Sequence, residues 1–452
     1  MTQQKQHSLL NRSAEACNML KKHIDNNHII RIVSHNDADG ISAAGVVANA
    51  IKEEQGQFHI TLVPRLNMDV LSDLRKEDYE IFMFLDMGSA FLKQLNNFKS
   101  DIIIADHHQP EDFNPDKHII HVNPHLFGID GSKELSGAGS AYLCIRDLDK
   151  KHLAHFALSG AFGDMQYHNK FIGMNELILK DALESGILEI HEGLKIQSKS
   201  TEILYKSLAY TFKPVLPGLT GDPEKSKSFL EKRGVSYGIK FADLEGEEQD
   251  ILKDELIKIN PKIFSDIYTM PKDSPYLRDL EDFSDILDAC GKSKKYSLAI
   301  SLALGERGEA LDAALNIREN YRLQLLKGME LIRNEGAVQL DNIQYVYSED
   351  SVIKKIMGTI ISIGLSAGIL DSNKPVFGLS RLHKDIKISG RTTHEMVNKG
   401  VNLAKALKDC SSNFSGQGGG HDVAAGAMIP YSTKDEFLHL LDEQITYQLN
   451  SD

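Results

Sequence analysis

The chain has 452 residues, 41% hydrophobic and 25% charged, with a formal net charge of -13. That length exceeds one compact core and points to two or three domains, and the ordinary globular balance excludes a wholly disordered chain. The longest apolar runs are broken by Gly and Ser, which excludes a transmembrane helix and leaves no membrane partner expected.

The amino-terminal MTQQKQHSLLNRS has no apolar signal core, so a cytoplasmic location is expected and Asn11-Arg12-Ser13 is a chance glycosylation match. Cys17, Cys144, Cys290 and Cys410 are far apart and form no Cys-x-x-Cys pair, which argues against a disulfide framework and a structural zinc site. An acidic chain disfavours a polyanionic partner, yet residues 371–408 hold eight Lys or Arg against three acids. This stretch reads either as a solvated face or as a phosphate-binding lobe.

Apolar runs rich in Ile, Val and Phe at 29–33, 60–63, 81–85, 102–105 and 119–122 predict buried strands. Helical patterns at 41–51 and 91–98 lie between them, and this alternation predicts an α/β domain with a parallel sheet covered on both faces. From about residue 136 the pattern turns mostly helical, at 141–148 and 153–165, with strand-like runs sparse to about 330 and a loop or hinge at 214–223. Strands return at 345–347, 376–379, 386–389 and 424–429, with helices at 352–363 and 434–449, predicting a smaller carboxy-terminal α/β domain. The expected divisions are 1–190, a largely helical connecting region 191–335, and 336–452.

In open α/β sheets, ligands bind beyond the carboxyl ends of the strands, so chemistry is sought there. SHNDADG at 34–40 follows the first strand and sets His35, Asp37 and Asp39 close together; the pattern suits metal ligation, a calcium loop or a plain turn. Asp86 follows another strand, where a helix cap is the simpler reading, and Asp106-His107-His108 follows the next. Asp164 ends a largely apolar helical stretch, where an ionised carboxylate needs a partner. Taken together, these positions predict a metal site.

The motifs His35-x-Asp37-x-Asp39, Asp86, Asp106-His107-His108 and Asp164 resemble, in order, those of the DHH phosphoesterases. SGQGGGHDVAAGA at 415–427 resembles the GGGH motif of the associated DHHA1-type substrate-binding domain. Within that family the chain is similar to the RecJ-like exonucleases, specifically the compact archaeal type that includes the GINS-associated nuclease. SGAGSAY at 136–142, DFSDILDACGK at 282–292 and KISGRTT at 387–393 carry this finer likeness.

The resemblance implies two divalent ions, with Asp86 bridging them, His35 and Asp37 on one, and Asp39, His107 and Asp164 around the other. Mixed imidazole and carboxylate ligation favours Mn2+ over Mg2+. In the catalytic triplet, Asp106 would fix a histidine's tautomer and His108 would donate to phosphate, beside the ligand His107. Gly418, Gly419 and Gly420 would form a loop whose amides approach phosphate, with His421 and the fork of Arg391 as further donors. Gly137 and Gly139 read as helix-packing positions.

The activity implied is single-strand-specific exonucleolysis of DNA or RNA in replication or repair, with the strand drawn through a cleft between domains. The alternatives are a replication scaffold that binds the GINS complex, and a phosphodiesterase for short oligonucleotides or cyclic dinucleotides.

Overall fold

The computed structural model describes residues 2–167, 170–349 and 353–450. Helix α1 (Thr2–Asp25) precedes β1 (Ile29–His35), α2 (Ala38–Glu53), β2 (Gln57–Val63), α3 (Met68–Leu74), β3 (Ile81–Leu85), α4 (Leu92–Leu95), β4 (Asp101–Ala105) and β5 (Ile119–Val122). The five strands are all parallel, in the order β2-β1-β3-β4-β5. Their side chains alternate between two cores: Ile30, Ile32, Met83, Leu85 and Ile103 face one, and Val33, Phe82, Phe84, Ile102 and Ile104 face the other. Burial on both faces is why these strands read as unbroken apolar runs. The strand order reverses between β1 and β3, and a sheet so ordered binds ligands beyond the carboxyl ends of those two strands. His35 is the last residue of β1, and Asp86 directly follows β3.

Next come α5 (Gly137–Leu143), α6 (Ala154–Gly163) and α7 (Met174–Glu184). Helix α2 is buried continuously from Ala38 to Ala48 and packs against α5 and α6, so its Ala- and Gly-rich sequence reflects closeness to neighbours on all sides. The chain continues through β6 (Glu189–Leu194), α8 (Leu204–Tyr210), α9 (Pro223–Glu231), α10 (Gly246–Ile259), β7 (Phe264–Thr269), α11 (Leu280–Lys292), α12 (Tyr296–Ala303) and α13 (Glu309–Glu335). β6 and β7 pair as a separate two-stranded sheet. Only Leu194 of β6 is buried, so the strand has no apolar run by which sequence could reveal it.

The remaining elements are β8 (Val338–Gln339), β9 (Gln344–Ser348), α14 (Ile353–Ser366), β10 (Val376–Leu382), β11 (Asp385–Arg391), α15 (His394–Asn398), α16 (Leu403–Ser412), β12 (Gln417–Gly420), β13 (Ala424–Pro430) and α17 (Lys434–Asn450). The helix expected over 352–363 is α14; Val352 lies outside the described residues. The six strands run in the order β12-β13-β11-β10-β9-β8, antiparallel except for the β9–β10 pair. Phe377, Leu379, Ile386 and Ile388 pack with α16 and α17, while Val346 and Val376 join α14 and the end of α13 in a second core.

Two compact units result: 1–193 with 265–319, and 194–264 with 320–452. The stretch 191–335, expected from sequence as one connecting region, is divided between them. Among the described residues no helix is long and apolar enough to cross a membrane, and all four cysteines are buried and free.

Candidate metal centre

Asp37 caps the start of α2, accepting the Gly40 amide at 3.0 Å on Oδ1, which leaves Oδ2 2.8 Å from His35 Nδ1. His35 Nδ1 is also 3.4 Å from Asp86 Oδ2. Asp86 itself has φ +55°, a left-handed conformation that non-glycine residues seldom adopt and that clusters at functional sites. Its Oδ1 lies 3.3 Å from His107 Nε2 and 3.8 Å from His108 Nδ1. His107 Nε2 in turn is 3.0 Å from Asp164 Oδ2, at the carboxyl end of α6, and 3.7 Å from Asp39 Oδ2. Three sets of potential ligand atoms converge: His35-Asp37-Asp86, Asp39-His107-Asp164 and Asp86-His107-His108.

The supporting residues explain how such a cluster is held. Asp39 is fully buried, and its carboxylate accepts the amides of Gly137 (2.6 Å) and Ala138 (2.9 Å) at the start of α5. A Cβ on Gly137 would fall 2.5 Å from Asp86 Oδ1, and one on Gly160 would fall 2.1 Å from Asp39 Oδ1. Gly137 therefore serves the cluster directly, beyond the packing role its sequence suggested. His107 Nδ1 donates to the Gly131 carbonyl at 2.7 Å, which directs Nε2 at the carboxylates. Gln166 also donates to that carbonyl (2.9 Å) and is itself held by Asn175 (2.8 Å).

Asp106 lies behind the cluster and meets His108, not His107, through its side chain: His108 Nδ1 is 2.8 Å from its Oδ1. It also accepts the amides of Ser89 (2.9 Å), His107 (2.7 Å) and His108 (3.1 Å). Burial would raise this carboxyl, but the partnership with His108 outweighs it and holds Asp106 well below the usual carboxylate range. Asn123 braces the far side, donating to Ser89 Oγ and to the His108 carbonyl, both at 2.9 Å. Gly131, Gln166, Asn175, Ser89 and Asn123 belong to no motif, because what they contribute are hydrogen bonds that exist only once the fold is made.

Four carboxylates, Asp37, Asp39, Asp86 and Asp164, crowd the cluster, and its ligand sets include no Lys or Arg. His35 Nδ1 and Asp86 Oδ1 are buried without a hydrogen-bond partner, His35 Nδ1 lying near Asp37 Oδ2 but off the line of a bond. Burial pushes the Asp39 carboxyl well above its ordinary value, and Asp164 and Asp86 push it further. Burial and Asp86 likewise raise Asp37. For His35, burial acts downward, yet Asp37 and Asp86 more than offset it and carry the imidazole up to about 11. Protons thus fill a role that divalent cations would fill better, and the mixed imidazole and carboxylate donors fit them.

The expected phosphate-binding residues gather in the second unit. Gly418, Gly419 and Gly420 are not a loop: they form the edge strand β12, in register with Ala427, Gly426 and Ala425 of β13. Main-chain pairing, which needs no side chains, makes a strand of a sequence that reads as a turn. His421 follows at the hairpin tip, exposed, its amide donating to the Ala424 carbonyl at 2.8 Å. Arg391 ends β11 opposite Ala424, beside that hairpin. Its fork is partly engaged, Nε with Ser362 Oγ (3.0 Å) and Nη1 with the Gly390 carbonyl (2.8 Å), and burial lowers its pKa.

Residues 29–161 match the DHH family, N-terminal domain, and residues 342–446 match the DHHA1 domain. Over 426 residues the chain is 32% identical to an uncharacterized protein of Methanocaldococcus jannaschii, covering 93% of this chain and 94% of that one. The chain belongs to the DHH family. This DHH protein has a RecJ-like fold. It is 27% identical over 138 residues to the single-stranded-DNA-specific exonuclease RecJ of Bacillus subtilis, a match spanning 28% of this chain and 17% of that protein. Its fold is similar to that of CDC45 from Entamoeba histolytica, with a TM-score of 0.71 at 12% identity over 97% of this chain and 99% of that one. It is also similar to that of RecJ in complex with Mn2+ from Thermus thermophilus, with a TM-score of 0.61 at 16% identity. That alignment covers 96% of this chain, which spans about half (55%) of the Thermus chain.

Proposed function

We propose that this DHH protein is a two-metal exonuclease that hydrolyses phosphodiester bonds of single-stranded DNA or RNA in DNA replication or repair. One observation carries the reading: Asp86 lies within 3.4 Å of a histidine from each of two three-residue ligand sets. The partial sequence similarity to a single-stranded-DNA-specific exonuclease supports the substrate class.

His35, Asp37 and Asp86 would hold one cation, and Asp39, His107 and Asp164, with Asp86 shared, the other. Bound there, two divalent ions would supply Lewis acidity and activate water at neutral pH. His108 is half exposed and gives Nδ1 to Asp106, so its Nε2 is directed to donate to a phosphate oxygen. Asp106 orients that imidazole and favours its charged form. In the second unit, the unengaged N–H groups of Arg391, the edge of β12 and His421 would bind further phosphates of a polymer.

Digestion of end-labelled single-stranded DNA and RNA, with Mn2+ or Mg2+, tests this reading. Mononucleotide release, fastest with Mn2+, is expected; intact substrate under every condition refutes it. A scaffold without catalysis has no use for the convergent ligand set, so GINS, the partner raised by resemblance, is proposed as an addition to the hydrolytic role. Co-purification tests it.

A further inference from the structure

The first unit contains a cavity of about 400 Å³ at the opposite end of the helices that carry the metal ligands. Helix α2 begins at Asp37 and Asp39 and reaches the cavity with Asn49 and Glu53, about 20 Å along its axis. Helix α6 ends at Asp164 and begins at the cavity with His155 and Phe156. Leu153, Phe156, Ile187, Met270 and Ala303 supply apolar wall; His155, Lys272 and Arg307 supply polar features, and the two lining carboxylates are already paired, Glu53 with Lys150 and His152 and Asp273 with Arg307.

His155 is 9% exposed and donates from Nδ1 to the His152 carbonyl at 2.7 Å. Burial keeps the ring neutral, its pKa pushed down to about 4, so Nε2 carries a lone pair with no protein donor among the described residues. The cavity therefore offers a fixed acceptor. Arg307 is locked in plane: Nε and Nη2 meet the Asp273 carboxylate at 2.9 Å each, and Nη1 meets the carbonyls of Leu302 (2.8 Å) and Glu306 (3.0 Å). With its edge so occupied, this guanidinium has mainly its face to offer, a surface on which planar rings stack. Lys272 is exposed at the same cavity and adds a positive charge.

A fixed acceptor, a stacking face, apolar wall and one ammonium together describe a planar nitrogen heterocycle carrying an anionic group. The volume lies within the range of small-ligand sites. We infer that this cavity binds a nucleoside monophosphate, its base stacked on Arg307 and donating an N–H to His155 Nε2, with its phosphate held by Lys272. The site stands apart from the metal centre and does not depend on hydrolysis.

Calorimetric titration of the full chain with AMP, adenosine and ribose 5-phosphate, in EDTA, tests this without cations at the metal centre. Saturable AMP binding is expected, weakened about tenfold by His155→Phe, which removes the acceptor and keeps a ring. Lys272→Ala, at an exposed position, should weaken AMP about tenfold while leaving adenosine unchanged. Asp86→Asn should leave AMP binding as it is. No saturable binding, equal binding of ribose 5-phosphate and AMP, or loss of binding in Asp86→Asn overturns the site. Should His155→Phe not fold, the AMP and adenosine difference in Lys272→Ala decides alone. A failed nuclease assay leaves these readouts untouched, so the two readings fail separately.

Discussion

Asp86 stands between two imidazoles, its Oδ2 3.4 Å from His35 Nδ1 and its Oδ1 3.3 Å from His107 Nε2. The shape of this carboxylate is matched by an amide, but its charge is not. Asp86→Asn is expected to lower Mn2+ affinity by more than about 100-fold and to abolish hydrolysis. The matched shape keeps the fold at some cost in Tm, because His107 and His35 lose the carboxylate that, against its burial, they hold below its ordinary range. Calorimetry with Mn2+ and a thermal melt check both halves. Two wild-type-affinity sites in the variant would exclude Asp86 as a shared ligand.

Metal affinity should rise with pH. In the protein alone His35 is carried up to about 11, so a cation must displace its proton, and fewer protons oppose binding as pH climbs. The stability of the cation-free protein runs the other way. A histidine raised from its unfolded value near ~6.5 contributes fully below that pH, and the contribution is lost as pH rises towards 11. The increase in Tm on adding Mn2+ should therefore grow between about pH 6 and about pH 8. A Tm increment that shrinks over this range would contradict the ligand role of His35.

Gly160 tests how closely α6 must approach Asp39. Alanine normally favours a helix over glycine by about 1 kcal/mol. Here its Cβ would meet Asp39 Oδ1 at 2.1 Å and Ala138 Cβ at 2.5 Å. Gly160→Ala is expected to lose about 1 to 3 kcal/mol in a denaturant melt, as overpacking does, and to displace a ligand, so hydrolysis falls with it. A variant that gains stability and keeps full activity would show that the contact is not needed.

Much of this was legible in the sequence for a definite reason. Ile81 to Leu85 reads as a strand because burial on both faces leaves it no polar alternation, and Asp86 and Asp106 are noticeable because potential ligands follow several neighbouring strands at the carboxyl edge of one sheet. The braces were hidden. Gln166 and Asn175 reach His107 through the Gly131 carbonyl, a main-chain atom with no residue-type signature. Gly418 to Gly420 were misread because glycine favours turns locally, whereas pairing with β13 is a long-range contact that decides the outcome. The strand β6 escaped because nearly all of it faces outward.

Asp106 separates holding a metal from using it, since it touches His108 and main-chain amides but belongs to none of the three ligand sets. Asp106→Asn keeps the size and removes the charge. Whichever way the amide turns, its NH2 faces a donor, either the Ser89 amide or the amides of His107 and His108, and leaves a buried N–H unmet at a cost of about 1 to 3 kcal/mol. Burial lowers the His108 pKa and Asp106 raises it past its ordinary value, so in the variant it should fall. The charged form of His108 is then lost at lower pH, and the alkaline limb of the rate profile shifts down. Hydrolysis at neutral pH should drop by about 10- to 100-fold with Mn2+ affinity largely kept. If Mn2+ binding collapsed in step with the rate, Asp106 would be a ligand itself; if the pH profile did not move, His108 would not be the group it serves.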